Sequence, residues 1–135
     1  MALLQIRTRL RGRESGPLFD ARAARVFRDF EDDLEEQGAE WAERHIKRTF
    51  HRSFRTPTGY YESNVTIHNS EGGQEVWDGG MGGPVYGPWL EGVGSRNNTT
   101  RFKGYHAFRN AAQALERRIE SMGYQLMNRN HIRRL

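Results

Sequence analysis

A chain of 135 residues is one domain's worth of sequence, with room for one modest core. Cysteine is absent, which excludes disulfide frameworks and thiolate metal centres, and no apolar run approaches the roughly 18 residues of a membrane span. The formal charge of +4 comes from 21 Lys and Arg against 17 Asp and Glu, a mild, mostly arginine excess that suits either phosphate or an acidic protein face.

Only 36% of the residues are hydrophobic, yet three Trp, seven Phe and five Tyr argue against disorder. The combination predicts an ordered chain whose apolar surface is completed in part by a partner chain. Residues 1–10 lack the continuous apolar core of a secretory signal, so the expectation is a soluble protein assembled where it is made.

Residues 1–17 alternate at first, with Leu4 and Ile6 against Gln5 and Arg7, and then become basic and glycine-containing. They read as an extended N-terminal arm laid on a neighbouring subunit or as a frayed terminus. A single domain is expected over 18–127 and a basic tail over 128–135.

Between 19 and 54 the apolar positions Phe19, Ala23, Val26, Phe30, Leu34, Trp41, Ile46, Phe50 and Phe54 recur mainly by threes and fours, with one gap at Gln37 and Gly38. That spacing predicts a long amphipathic helix, either continuous or broken at Gly38. At 1.5 Å per residue it spans on the order of 50 Å, more than so small a core requires. The acids Glu31, Asp32, Asp33, Glu35 and Glu36 crowd its middle, as a solvated face or as a stripe answering arginines of another subunit.

Pro57 and Gly59 end the helix. Tyr61, Ser63, Val65 and Ile67 then alternate with polar residues, which predicts a strand; residues 69–73 form a hairpin connection and 74–77 the return strand. A third strand, from the N-terminal arm or around Val85, is needed to complete a sheet. The glycine-rich residues 78–84 lack the spacing of a phosphate cradle. A second helix is expected over 105–127, with Phe108, Ala111, Leu115, Ile119, Met122 and Leu126 on one face. The fold class is therefore α+β: a long N-terminal helix and a C-terminal helix packed on a small antiparallel sheet.

The stretch from 85 to 94 sets Tyr86, Pro88, Trp89 and Leu90 beside one acid, Glu91, and the glycines Gly87, Gly92 and Gly94. Rings beside glycines imply close backbone approach. Glu91 is either tied to local backbone N–H groups or paired with an arginine across a subunit boundary. Trp89 and Tyr86 serve as core or as contact residues.

The pattern Tyr86, Trp89, Leu90-Glu91-Gly92 and Gly94, followed by Phe102, Gly104 and Phe108 leading into a helix, resembles the head-tail connector (neck and tail-completion) family of long-tailed bacteriophages. The resemblance covers about 19–119 in order of elements. It implies an N-terminal helix, a small sheet, an aromatic-Glu-Gly segment and a C-terminal helix, with subunits forming a ring between portal and tail.

Nothing in the sequence favours an enzyme. The five histidines show no metal-ligand spacing, since His45 and His51 fall on different helix faces, and no serine nucleophile motif occurs. No metal, cofactor or catalytic residue is expected. The expectation is a structural virion protein, assembled in the host cytoplasm, that forms a homo-oligomeric ring in the neck and meets other neck proteins and tail-tube or terminator proteins. Its contact residues are Tyr86, Trp89, Glu91, Arg96, Arg101 and Phe102. Arg7, Arg9, Arg11, Arg13, Arg129, Arg133 and Arg134 are candidates for an acidic partner or for genomic DNA in the lumen, without sequence specificity. The alternatives are a tail terminator capping the tail tube and, in another class, a small basic DNA-binding regulator.

Overall fold

The computed structural model describes residues 3–7, 21–55, 58–70, 73–79 and 86–135. Strand β1 (Leu3–Ile6) is followed by helix α1 (Ala21–Ser53), the short helix α2 (Tyr60–Ser63), strands β2 (Thr66–Ser70) and β3 (Gly73–Trp77), the short helix α3 (Gly87–Glu91) and helix α4 (Ala107–Leu126). The α+β class holds, with the long N-terminal helix and the C-terminal helix on a small antiparallel sheet. Calls on 1, 2, 8–20, 56, 57, 71, 72 and 80–85 lie outside the described residues, among them Arg9, Arg11, Arg13, the helix start at Phe19 and the strand proposed around Val85.

Helix α1 runs for 33 residues without a break, so the two-helix alternative at Gly38 does not hold. Gly38 is buried on its inner face, where a Cβ would stand 3.5 to 3.7 Å from the side chains of Ile6, Leu115 and Ile119. Helix α4 packs antiparallel to α1: Phe108 at its start meets Phe50 near the end of α1, and Leu126 at its end clusters with Phe30 and Leu34. Gly123 allows this approach, with Leu34 and Phe30 atoms 3.4 and 3.5 Å from where its Cβ would be.

The sheet has the order β1-β3-β2, both outer strands antiparallel to β3, with Leu3 and Thr66 each opposite Trp77. The third strand is thus the N-terminal one, and residues 3–6 pair within the chain's own sheet. Ile6, Val65 and Val76 join Ala39, Ala42, Ile46 and Phe50 of α1 and Phe108, Ala111 and Leu115 of α4 in one core cluster.

Two expectations are corrected. The alternation from Tyr61 begins as a helical turn, α2, and the strand starts only at Thr66. The strands then pair as far as Ser70 and Gly73, both of them within the stretch expected to be the hairpin connection. At the other end, the stretch expected to be a basic tail outside the domain continues as a π-helical turn (Met127–His131) and a 3-10 turn (Ile132–Arg134). The wider turn carries His131 onto α1: it is 5% exposed, its Nε2 lies 2.9 Å from Asp33 Oδ2, and its ring stands edge-on to Phe30. Arg134 donates to Asp29 Oδ2 at 2.7 Å.

Candidate functional site

The segment from 86 to 106 joins the sheet to α4 and gathers most of the contact residues expected from sequence. Its anchor on the sheet side is Asp78, fully buried just after β3, which accepts a hydrogen bond from the Tyr61 hydroxyl at 3.0 Å. Burial first, and then the Asp78 charge, pushes the Tyr61 phenol well above its ordinary range. Gly87 opens α3 against this carboxylate; a side chain there would run into Asp78 Oδ2.

Pro88 sits in the first turn of α3, where its missing N–H costs nothing. Its carbonyl then accepts from the N–H groups of Gly92, Val93 and Gly94 at 3.0, 2.9 and 3.1 Å, folding the chain back on itself. Two glycines make the crossing that follows. Gly92 and Gly104 have φ of 100° and 97°, and a Cβ on Gly104 would strike the Gly92 backbone. Beside them the Tyr105 N–H donates to Leu90 O at 2.7 Å.

Asn97 holds the loop between those crossings. Buried in a 3-10 turn (Ser95–Asn98), it accepts from Gly94 N through Oδ1 at 3.0 Å and donates through Nδ2 to the carbonyls of Trp89 and Phe102 at 3.0 and 3.2 Å. Lys103 Nζ donates to the Asn97 carbonyl at 2.6 Å. The rings run on in a line: Trp89 to Phe102 at 4.6 Å, Phe102 to Tyr105 at 4.8 Å, and Tyr105 to Phe54 at 5.8 Å. Arg96 lies over Trp89 with its Cζ 5.6 Å from the ring centroid.

Glu91 ties the segment to α4. Its Oε1 and Oε2 accept from the backbone N–H groups of Phe108 and Arg109 at 2.9 and 3.0 Å, satisfying two donors that the first turn of a helix leaves free. His106, at the N-cap position with φ 53°, has no side-chain capping bond of its own. Burial raises the Glu91 carboxyl above its ordinary value, while the two N–H bonds and then the His106 and Arg109 charges act the other way.

The expected contact residues therefore divide. Glu91 is 6% exposed and bound to local backbone, which decides between its two readings: it is an internal cap, not an arginine partner on the surface. Trp89 and Phe102 are half-buried within the line of rings. Tyr86, Arg96 and Arg101 face outward, with Val93 at 69% exposure beside them. Of the scattered arginines, Arg7, Arg129 and Arg133 are exposed and Arg134 is clasped to Asp29. The acids of α1 split likewise: Asp33 and Asp29 hold the C-terminal turns, while Asp32, Glu35, Glu36 and Glu40 line a cleft against Ile67, Asn69 and Gln74 of the sheet.

Sequence reasoning missed Asn97, Asp78 and Tyr61. Only Asn97 carried a signal, as an amide three residues after a glycine turn. Among the described residues no group of three His, Asp or Glu could hold a metal ion, and no helix is long and apolar enough to cross a membrane. Compared with protein-family models, curated proteins and solved structures, the chain matches none.

Proposed function

We propose that this chain is a subunit of a homo-oligomeric ring in the neck of a tailed bacteriophage, where it joins head to tail without catalysing a reaction. One observation carries the reading. The aromatic-Glu-Gly segment is locked from within by Glu91, Asn97 and the Gly92–Gly104 crossing, and it turns Tyr86, Val93, Arg96 and Arg101 outward as a fixed surface. A non-repetitive segment held this firmly meets a partner with little loss of conformational freedom on binding.

The order of elements supports the same reading: long helix, small sheet, locked segment, C-terminal helix. In such a ring a head-to-tail contact repeats until rotation closes it. The exposed Arg7, Arg129 and Arg133 then serve acidic faces of adjoining neck or tail proteins, or lumenal DNA in a salt-dependent manner.

The test is the full chain at high concentration, by size exclusion with light scattering and by negative-stain imaging. Closed rings with a central opening are expected. A chain that stays monomeric or dimeric in the presence and absence of duplex DNA would count against the reading. A stable complex with random duplex at physiological salt, without rings, would favour a DNA-binding regulator instead.

A further inference from the structure

The outward side of α1 carries its charge in two blocks. Residues 29–43 hold eight Asp and Glu and no Lys or Arg, and residues 44–55 hold five Lys and Arg and no Asp or Glu. Glu36, Glu40, Arg44 and Arg48 are exposed and stand four residues apart, so they follow one row along the helix, which Asp32 and Arg52 continue at either end. The row offset from it by two positions, Leu34, Gly38, Ala42, Ile46 and Phe50, lies on the opposite side and is buried.

A helix on its own is not stabilised by this order. Neighbours four apart interact, so the row from Asp32 to Arg52 has a single attracting step, from Glu40 to Arg44, and every other step along it repels. The helix dipole favours cations only in the last turn, which accounts for Arg52 but not for Arg44 or Arg48. Glu43 pairs with Lys47 at 2.9 Å, whereas Glu36, Glu40, Arg44 and Arg48 are in no ion pair among the described residues. The cleft that Asp32, Glu36 and Glu40 border, about 420 Å³ in volume, leaves room beside the acidic block for an incoming arginine side chain.

We infer that this outer row of α1 docks on the same row of a second copy, the two helices antiparallel about a two-fold axis midway between Glu40 and Arg44. Charge complementarity names the occupant, because the row turned end for end presents its own opposite. Glu40 of each copy then faces Arg44 of the other, and Glu36 faces Arg48, so one isologous contact answers the charges of both rows. Helices that meet along such four-apart rows cross at about −50°. Half-buried Trp41, next to Glu40 in sequence and stacked on His45 at 5.0 Å, adds an aromatic surface beside the axis. The contact does not depend on the ring reading.

Two charge variants of the full chain test this. Glu36→Arg with Glu40→Arg makes the row wholly basic, and Arg44→Glu with Arg48→Glu makes it wholly acidic. Sedimentation over a concentration series gives the strength of pairing at low and at high salt, and thermal melting shows that each chain is folded. Wild type is expected to pair, less tightly at high salt. Each variant alone is expected to pair about tenfold more weakly or worse, and an equimolar mixture of the two to pair at least as well as wild type. A monomeric wild type, variants that pair like wild type, or a mixture no better than its components would overturn the inference. Should either variant melt early, Glu40→Gln and Arg44→Gln take their place: weaker pairing at unchanged Tm is expected, and any other result overturns the contact. Wild-type pairs that grow no further keep the contact and count against the ring reading, whereas rings indifferent to both variants keep the ring and overturn the contact.

Discussion

Glu91 shows how a single side chain can be read two ways and decided by two bonds. An acid between Leu90 and Gly92 has the look of a surface partner, but its oxygens reach 17 and 18 residues ahead to the N–H groups of Phe108 and Arg109. Replacing it by Ala leaves both donors bare at the start of α4, and urea denaturation at neutral pH is expected to show a loss of about 1–2 kcal/mol. Its pH dependence has a definite sign. Because burial raises the folded carboxyl above the ordinary 4.5, the folded chain holds the proton more firmly than the unfolded chain. The stability linked to Glu91 is therefore full below that ordinary value and lost as pH rises through the raised one. Glu91→Gln is expected to flatten the fall in stability that sets in above that ordinary value, measured by denaturation at a series of pH values. The spacing of Asn97 from Gly94 hinted at one of its bonds, but not at those to Trp89 and Phe102, whose carbonyls come together only once the chain has crossed itself at Gly92 and Gly104.

Among the elements, α1 and α4 were legible because an amphipathic helix writes its buried face at fixed spacing, and Val26, Phe30, Leu34, Ile46 and Phe50 are buried as that spacing requires. The helical turn α2 was not, for a reason that lies in arithmetic. Tyr61 and Val65 are both buried and four apart, which is two strand repeats or about one helical turn, so either period accounts for them. The C-terminal turns were missed because His131 falls five positions after Leu126, off the helical spacing; the π turn widens the helix by the step that brings it inward. The gap in apolar spacing at Gln37 and Gly38, with the low helix propensity of glycine, left a break at Gly38 open as one of two readings, whereas packing against Ile6, Leu115 and Ile119 carries α1 through it. Nothing stands nearer than 3.5 Å to a Cβ at that position, so Gly38→Ala is expected to raise stability by about 0.5–1 kcal/mol, measured by chemical denaturation.

Taken whole, the molecule is held by one core cluster that draws on the sheet, α1, α2, α3 and α4, with a second cluster around Phe30, Leu34 and Leu126 linked to it through Ile119 and Met122. Trp41 lies in α1, Trp77 in β3 and Trp89 in α3, so tryptophan fluorescence samples three regions while far-ultraviolet dichroism follows the helices. With the core shared in this way, the two signals are expected to trace one coincident denaturation curve; separate midpoints would show that the sheet and the helix pair unfold independently. At this scale the layer order was readable and any assembly was not, since a single sequence records which faces are apolar but not whether another chain covers them. The pairing of β1 with β3 has a consequence for synthesis. Leu3 is made first, yet its opposite number Trp77 follows more than seventy residues later, and the helix beneath both strands closes only against α4. A nascent chain paused before β3 leaves the ribosome would hold β1 idle, and one paused before α4 leaves it would hold the apolar face of α1 that α4 covers open to any other apolar surface.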